Sequence, residues 1–163
     1  MKSIRLSAIA ALCGILCISG CGLQGKLGEP APKLHIAEWV KGSPVMLNPE
    51  KIFVVEFWAT WCPPCRQTIP HLTALQKKYQ NEVIFIGITQ EEPAVVRPFV
   101  ESLGGTMDYT VAIDDHGITG REYMIPFKVN GIPHAFVIKD SKIIWHGHPM
   151  DGMAEVIEKA LVK

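Results

Sequence analysis

Between Ile52 and Trp58 the chain reads Ile-Phe-Val-Val-Glu-Phe-Trp, seven positions of which only Glu56 is polar. An almost unbroken run of β-branched and aromatic residues predicts a central strand buried on both faces. Immediately downstream the period changes. Ile69, Leu72, Leu75 and Tyr79 recur at spacings of three and four, which predicts a helix from Pro63 to about Tyr79 with one apolar stripe. Pro63 and Pro64 suit its first turn, where missing N–H donors cost nothing; Pro70 lies in the interior and is expected to bend it. Val83 to Thr89 predicts a second buried strand and Pro93 to Ser102 a second helix. A short strand at Tyr109 to Ile113 and a weaker helical stretch near Thr119 to Ile125 follow, joined by the loop Asp114-Asp115-His116-Gly117. Ala135 to Ile138 and Ile143 to His146 alternate around a turn at Lys139 to Lys142, the pattern of an antiparallel hairpin. A last helix starts at Asp151 or Gly152 with Met153, Val156, Ile157 and Leu161 inward. Leu34 to Val40 and Val45 to Leu47 are weaker strand candidates. This order calls for an α/β sandwich, a central mixed β-sheet with flanking helices, in one domain over residues 34–163.

The first 20 residues are a separate object. Lys2 and Arg5 precede an apolar stretch from Leu6 to Ile18, and the segment ends Ile18-Ser19-Gly20-Cys21. It is short for a membrane-spanning helix and is followed abruptly by polar sequence, so it reads as a secretory signal peptide. The ending resembles the lipobox of bacterial lipoproteins, which implies lipidation at Cys21 and a lipid-anchored protein at the cell envelope. An ordinary cleavage site or an uncleaved anchor are the alternatives. Residues 21–33, polar and rich in glycine and proline, fit a flexible tether.

Loss of Lys2 and Arg5 with the leader changes 16 basic against 16 acidic residues into 14 against 16. That balance, with no basic run interleaved with aromatics, argues against nucleic acid as a partner. Cysteine usage narrows the picture further. Cys13 and Cys17 lie in the leader and Cys21 is the candidate lipid site, leaving Cys62 and Cys65. Such a pair closes almost no loop and so barely constrains the unfolded chain, which favours a redox role over a structural staple. Structural zinc would need two further thiolates or imidazoles, and there is no second C-x-x-C. The pair follows a buried strand and opens a helix. There, unsatisfied backbone N–H groups favour the thiolate of the first cysteine, and the second lies close enough to resolve a mixed disulfide.

The run Val55-Glu56-Phe57-Trp58-Ala59-Thr60-Trp61-Cys62-Pro63-Pro64-Cys65-Arg66, then Ile69-Pro70 and Gly131-Ile132-Pro133, resembles the thioredoxin superfamily. Within it the run is most similar to the extracytoplasmic TlpA-like branch, which includes the thiol–disulfide oxidoreductases of cytochrome c maturation. The similarity extends from about Ala37 to His148. The resemblance implies a thioredoxin-like three-layer sandwich, Cys62 as exposed nucleophile, Cys65 as buried resolving thiol and Pro133 as a cis-proline facing them. Proline is the residue for which cis costs little, about 0.5–1 kcal/mol; a trans proline at a strand start is the alternative. Glu56 matches the buried acid beneath the thiols, a candidate proton acceptor for Cys65. Trp61, Pro63, Ile132 and His134 form the expected substrate-facing set. A disulfide-bearing protein substrate and an external electron donor, such as a membrane thiol relay, are the implied partners. The protein is expected to be a monomer and to use no cofactor and no metal.

Thr68 departs from the pattern, since several cytochrome-maturation relatives carry glutamate there. Two rival chemistries are also visible. His146, His148 and Met150 alternate and could present soft ligands to copper, for which the cysteines are also competent, giving a non-catalytic copper-binding or scaffold lipoprotein on the same fold. Thr60 and Arg66 could assist a peroxidatic cysteine, giving a thiol peroxidase.

Overall fold

The computed structural model describes residues 25–162. Six strands and four helices follow in the order β1 (Ile36–Lys41), β2 (Ile52–Phe57), α1 (Pro63–Lys78), β3 (Val83–Thr89), α2 (Pro93–Leu103), β4 (Thr110–Asp114), α3 (Ile118–Met124), β5 (His134–Lys139), β6 (Lys142–Gly147) and α4 (Met153–Leu161). The strands form one sheet in the order β1-β4-β3-β2-β5-β6. β2, β3 and β4 are parallel, while β1, β5 and β6 are antiparallel to their neighbours. β2 is central and buried along its whole length, as its apolar run predicts.

Strand alternation sorts the core into two layers. Val54 and Trp58 of β2 and its exit pack with Ile69, Leu72, Val96, Ala135 and Ile157. Phe53, Val55 and Phe57 face the other way, against Tyr123, Phe136 and Ile138. Each fully buried side chain of this size contributes about 1.5–3 kcal/mol. The layers matter for function because the cysteines belong to the first.

Most predicted elements lie within two residues of their observed bounds. The hairpin turns at Asp140 and Ser141, both at positive φ (51° and 60°), which suits the right-handed twist of the flanking strands. α1 continues through Pro70. Two expectations are corrected. Residues 45–47 form no strand; Val45 and Leu47 instead pack, partly buried, on the second layer. Residues 25–33, expected as a tether, lie along the body. Gly25 N–H donates to Pro126, Gly28 to Ile143 and Ala31 to Ser141, and Pro30 bridges Lys142. β6, the turn before it and the loop after α3 supply these partners, a long-range pairing that local composition does not show. The leader and Cys21 lie outside the described residues.

Candidate active site

β2 delivers the chain to the end of the sheet, and Trp58-Ala59-Thr60-Trp61 turns it into α1. Cys62 is the N-cap of that helix, with extended backbone, and Pro63 and Pro64 occupy the first two helical positions. Both prolines lack an N–H, so Cys65 is the first residue able to donate. Its N–H points at Cys62 Sγ, 3.2 Å away, and Arg66 N–H bonds the Cys62 carbonyl. Cys62 and Cys65 are joined as a disulfide.

Pro133 closes the site from the other side. The Ile132–Pro133 peptide is cis, and the Ile132 carbonyl oxygen lies 3.8 Å from Cys62 Sγ. Cys65 is buried, as the resemblance implies. Cys62 is only 2% exposed, which corrects the expectation of an open nucleophile: Ile132 and the helix N-terminus cover it. Trp61 is 68% exposed. It lines a groove of about 610 Å³ with Trp58, Ala59, Ile88, Gln90, Met124, Gly131 and Ile132, so the groove is largely apolar and borders the sulfurs.

Glu56 pairs with Gly87 on β3 and Ala135 on β5. Alternation puts it between Val54 and Trp58, on the cysteine side of the sheet. It is 1% exposed, and neither carboxyl oxygen has a hydrogen-bond partner among the described residues. Burial without a counter-charge pushes its pKa up to about 8, because the ionised form loses hydration it cannot replace.

The sequence reading missed Glu91. Its carboxylate accepts from Thr60 N–H and Thr60 Oγ1–H, both at 2.6 Å, and from the Thr89 hydroxyl at 3.2 Å. It thereby ties the loop before Cys62 to the end of β3. Its signal was available: an acid just beyond the carboxyl end of a parallel strand beside the one feeding the site. Thr68 is buried and its hydroxyl donates to the Cys65 carbonyl, a local bond within α1.

The AhpC/TSA family model matches residues 27–146. The chain belongs to the AhpC/TSA family. It is 29% identical over 110 residues to the thioredoxin-like protein YneN of Bacillus subtilis, covering 66% of this chain and 57% of YneN. It is 30% identical over 125 residues to the thiol-disulfide oxidoreductase ResA of Bacillus anthracis, covering 73% of this chain and 68% of ResA. The match thus spans little more than half of YneN and about two thirds of ResA. The thioredoxin domain of a thiol-disulfide oxidoreductase from Bacteroides vulgatus superposes with a TM-score of 0.69 at 19% identity, over 83% of this chain and 98% of that one. The fold is thioredoxin-like, and the chain is a thioredoxin-superfamily thiol–disulfide oxidoreductase related to ResA.

The remaining candidates of this AhpC/TSA-family chain fall away from the sulfurs. His134 opens β5 on the second layer, opposite the cysteines, beside Phe57 and Phe136, so it is not aimed into the thiol site. Its Nε2 lies 3.0 Å from His146 Nδ1, and His146 stacks on Phe136. Burial, then the neighbouring His146 and His148, lower the His134 pKa to about 4. His148 Nδ1 accepts from Met150 N–H. The copper reading needed these histidines on the cysteine face; the sheet separates them. No group of three or more His, Cys, Asp or Glu among the described residues is arranged to hold a metal ion. The peroxidase reading needed Thr60 and Arg66 at Cys62, but the Thr60 hydroxyl is engaged by Glu91 and Arg66 is exposed.

Proposed function

We propose that this oxidoreductase works as a reductase of protein disulfides at the cell envelope, outside the cytoplasm and anchored by lipid on Cys21. The observation that carries the reductase reading is the start of α1. Pro63 and Pro64 remove two of the N–H groups that would stabilise a Cys62 thiolate, leaving the Cys65 N–H on the sulfur. A less stabilised thiolate makes the reduced pair give up its electrons more readily.

The Cys62 thiolate attacks one sulfur of a substrate disulfide; the new S–S bond forms as the substrate S–S bond breaks, and the second substrate sulfur leaves as a thiolate. Cys65 then loses its proton to Glu56 and attacks Cys62, forming the internal disulfide and releasing the first substrate sulfur as a thiolate. Two electrons pass to substrate, which takes up two protons from solvent and from Glu56. An external thiol donor restores Cys62 and Cys65. Trp61 and Ile132 offer the groove to an extended apolar segment of the substrate, and exposed Pro63 at the helix start is the next surface such a segment would meet.

Trapping with Cys65→Ser tests this reading. The variant should accumulate mixed disulfides through Cys62 with envelope proteins, and Cys62→Ser should trap none and lose insulin-disulfide reduction. Full turnover in Cys62→Ser would overturn it. The anchor is tested separately: intact mass of membrane-extracted protein should carry diacylglycerol on Cys21, lost in Cys21→Ala. Candidate cleavage at Cys21 followed by Gly22 gives no aspartate after the cysteine, which in a Gram-negative cell favours the outer membrane. No helix of the described residues is long and apolar enough to cross a membrane.

A further inference from the structure

Gly87 is an anomaly in β3, a glycine inside a buried run of Val, Ile and Phe. A glycine there marks a close approach by something else. A Cβ added to it would lie 3.0 Å from Tyr109 Cε2 and 3.1 Å from Trp58 Nε1. Its register partner on β2 is Glu56, whose side chain leaves the sheet on the same face. Three polar side chains from two segments, the end of β2 and the entry to β4, therefore converge over one missing side chain. Glu56, Trp58 and Tyr109 are 1%, 2% and 5% exposed.

The chemistry of the three groups is complementary. The indole N–H and the phenol O–H are donors; the carboxyl is the acceptor. None of the three has a hydrogen-bond partner among the described residues, one another included, and a buried polar group left in that condition costs about 1–3 kcal/mol. Within the buried cluster of this layer the other titratable side chains among the described residues are Cys62, Cys65 and Tyr79, and the Tyr79 hydroxyl is taken by Glu158. α2, α4 and β5 contribute apolar residues. The Glu56 charge also acts on Tyr109, whose hydroxyl is held protonated first by burial and then by that carboxylate.

We infer that Tyr109, with the Trp58 indole, is the positioning residue for Glu56, its hydroxyl donating to the carboxylate when that group ionises, directly or through one water. The inference rests on the relay reading of Glu56 and deepens it. A charge-assisted bond favours the ionised form. Glu56 thus keeps enough basicity to take the Cys65 proton while still ionising near neutrality; Gly87 is the space that lets the ring reach it.

The test uses the oxidised protein, in which no thiol titrates. Infrared spectra across pH follow the protonated-carboxyl band of Glu56, assigned by its loss in Glu56→Gln. Tyr109→Phe keeps the ring and removes the donor. Its Glu56 midpoint should move up by about one pH unit, and in the reduced protein resolution at pH 7 should slow about tenfold, one unit being a tenfold change in the basic fraction. Gly87→Ala keeps every donor but displaces the ring, and should shift the midpoint in the same direction; it serves if Tyr109→Phe does not fold. A midpoint unmoved in both variants overturns the inference. If that happens while Glu56→Gln still prolongs the mixed disulfide, only the role of Tyr109 is lost. If the midpoint moves but Glu56→Gln resolves at the wild-type rate, the positioning holds and the relay reading fails.

Discussion

Replacing Glu56 with Gln should change how stability depends on pH before it changes anything else. In the unfolded chain the carboxyl titrates near 4.5, and in the folded protein burial moves it to about 8. The folded state therefore holds a proton that the unfolded chain has already released. Stability from this source is complete below pH 4.5 and is lost as pH rises through 8, at about 1.4 kcal/mol per pH unit. Between about pH 5 and pH 8 the wild type should lose about 3.5 kcal/mol that Glu56→Gln does not lose. The variant bears a constant cost for its own buried amide, but a constant cost cancels when one pH is compared with the other. Guanidinium denaturation of both proteins at the two pH values, with Cys62–Cys65 oxidised so that no thiol contributes, measures the difference directly. Groups shared by both proteins, including His134, also cancel. Parallel pH dependence in the two proteins would show that Glu56 ionises freely when folded, and would remove the physical basis for a buried proton acceptor.

Pro64→Ala restores an N–H at the second position of α1, within reach of an N-cap side chain. It should stabilise the Cys62 thiolate and raise the reduction potential, read from the pH dependence of alkylation and from glutathione equilibria. Glu91→Ala strips the Thr60 N–H and hydroxyl of their acceptor, so it should cost about 1–3 kcal/mol in thermal or chemical denaturation and raise KM for a protein disulfide; unchanged values in both assays would mean the loop is held elsewhere. His134 is kept neutral by burial and by His146 and His148, with its pKa lowered from 6.5 to about 4. The unfolded chain takes up that proton first, so stability is full above pH 6.5 and falls as pH drops toward 4. Allowing for its half-exposed ring, His134→Gln should recover about 1–2 kcal/mol across that window.

The parts of the structure that were legible in the sequence are those written in local periodicity. β2 announces itself because a strand buried on both faces needs an apolar run, and α1 because its stripe recurs with the helical period. The cysteine pair was readable for the same reason: its chemistry depends on a strand-to-helix junction that lies within a dozen residues. Glu91 and Tyr109 were not read, because each acts across the sheet. Glu91 reaches back 31 residues to Thr60, and the significance of Tyr109 appears only once β3 is paired beside β2. His134 was misplaced by one step of alternation. Adjacency to Pro133 suggested the thiol site, but a strand residue shows the opposite face to that of its neighbour Ala135, and the pleat decides. His146, which suggested copper, belongs to the same case, since nothing local says which face of the sheet a β6 residue shows.

The site combines a covered nucleophile with an exposed aromatic neighbour, and this orders the events of exchange. Cys62 is 2% exposed while Trp61, one residue earlier, is 68% exposed. A partner therefore meets the indole and the groove edge at Gly131 and Ile132 before it meets sulfur. The same cover excludes water from the thiols. A drier site strengthens the single Cys65 N–H that points at Cys62 Sγ, and it raises the cost of leaving Glu56 ionised. In the proposed mechanism the second effect works toward resolution: Glu56 gains basicity for the Cys65 proton as Cys65 attacks Cys62 Sγ and the substrate sulfur leaves as a thiolate. Under the proposed mechanism, burial of Cys62 couples recognition of an apolar segment to the proton transfer that accompanies substrate release.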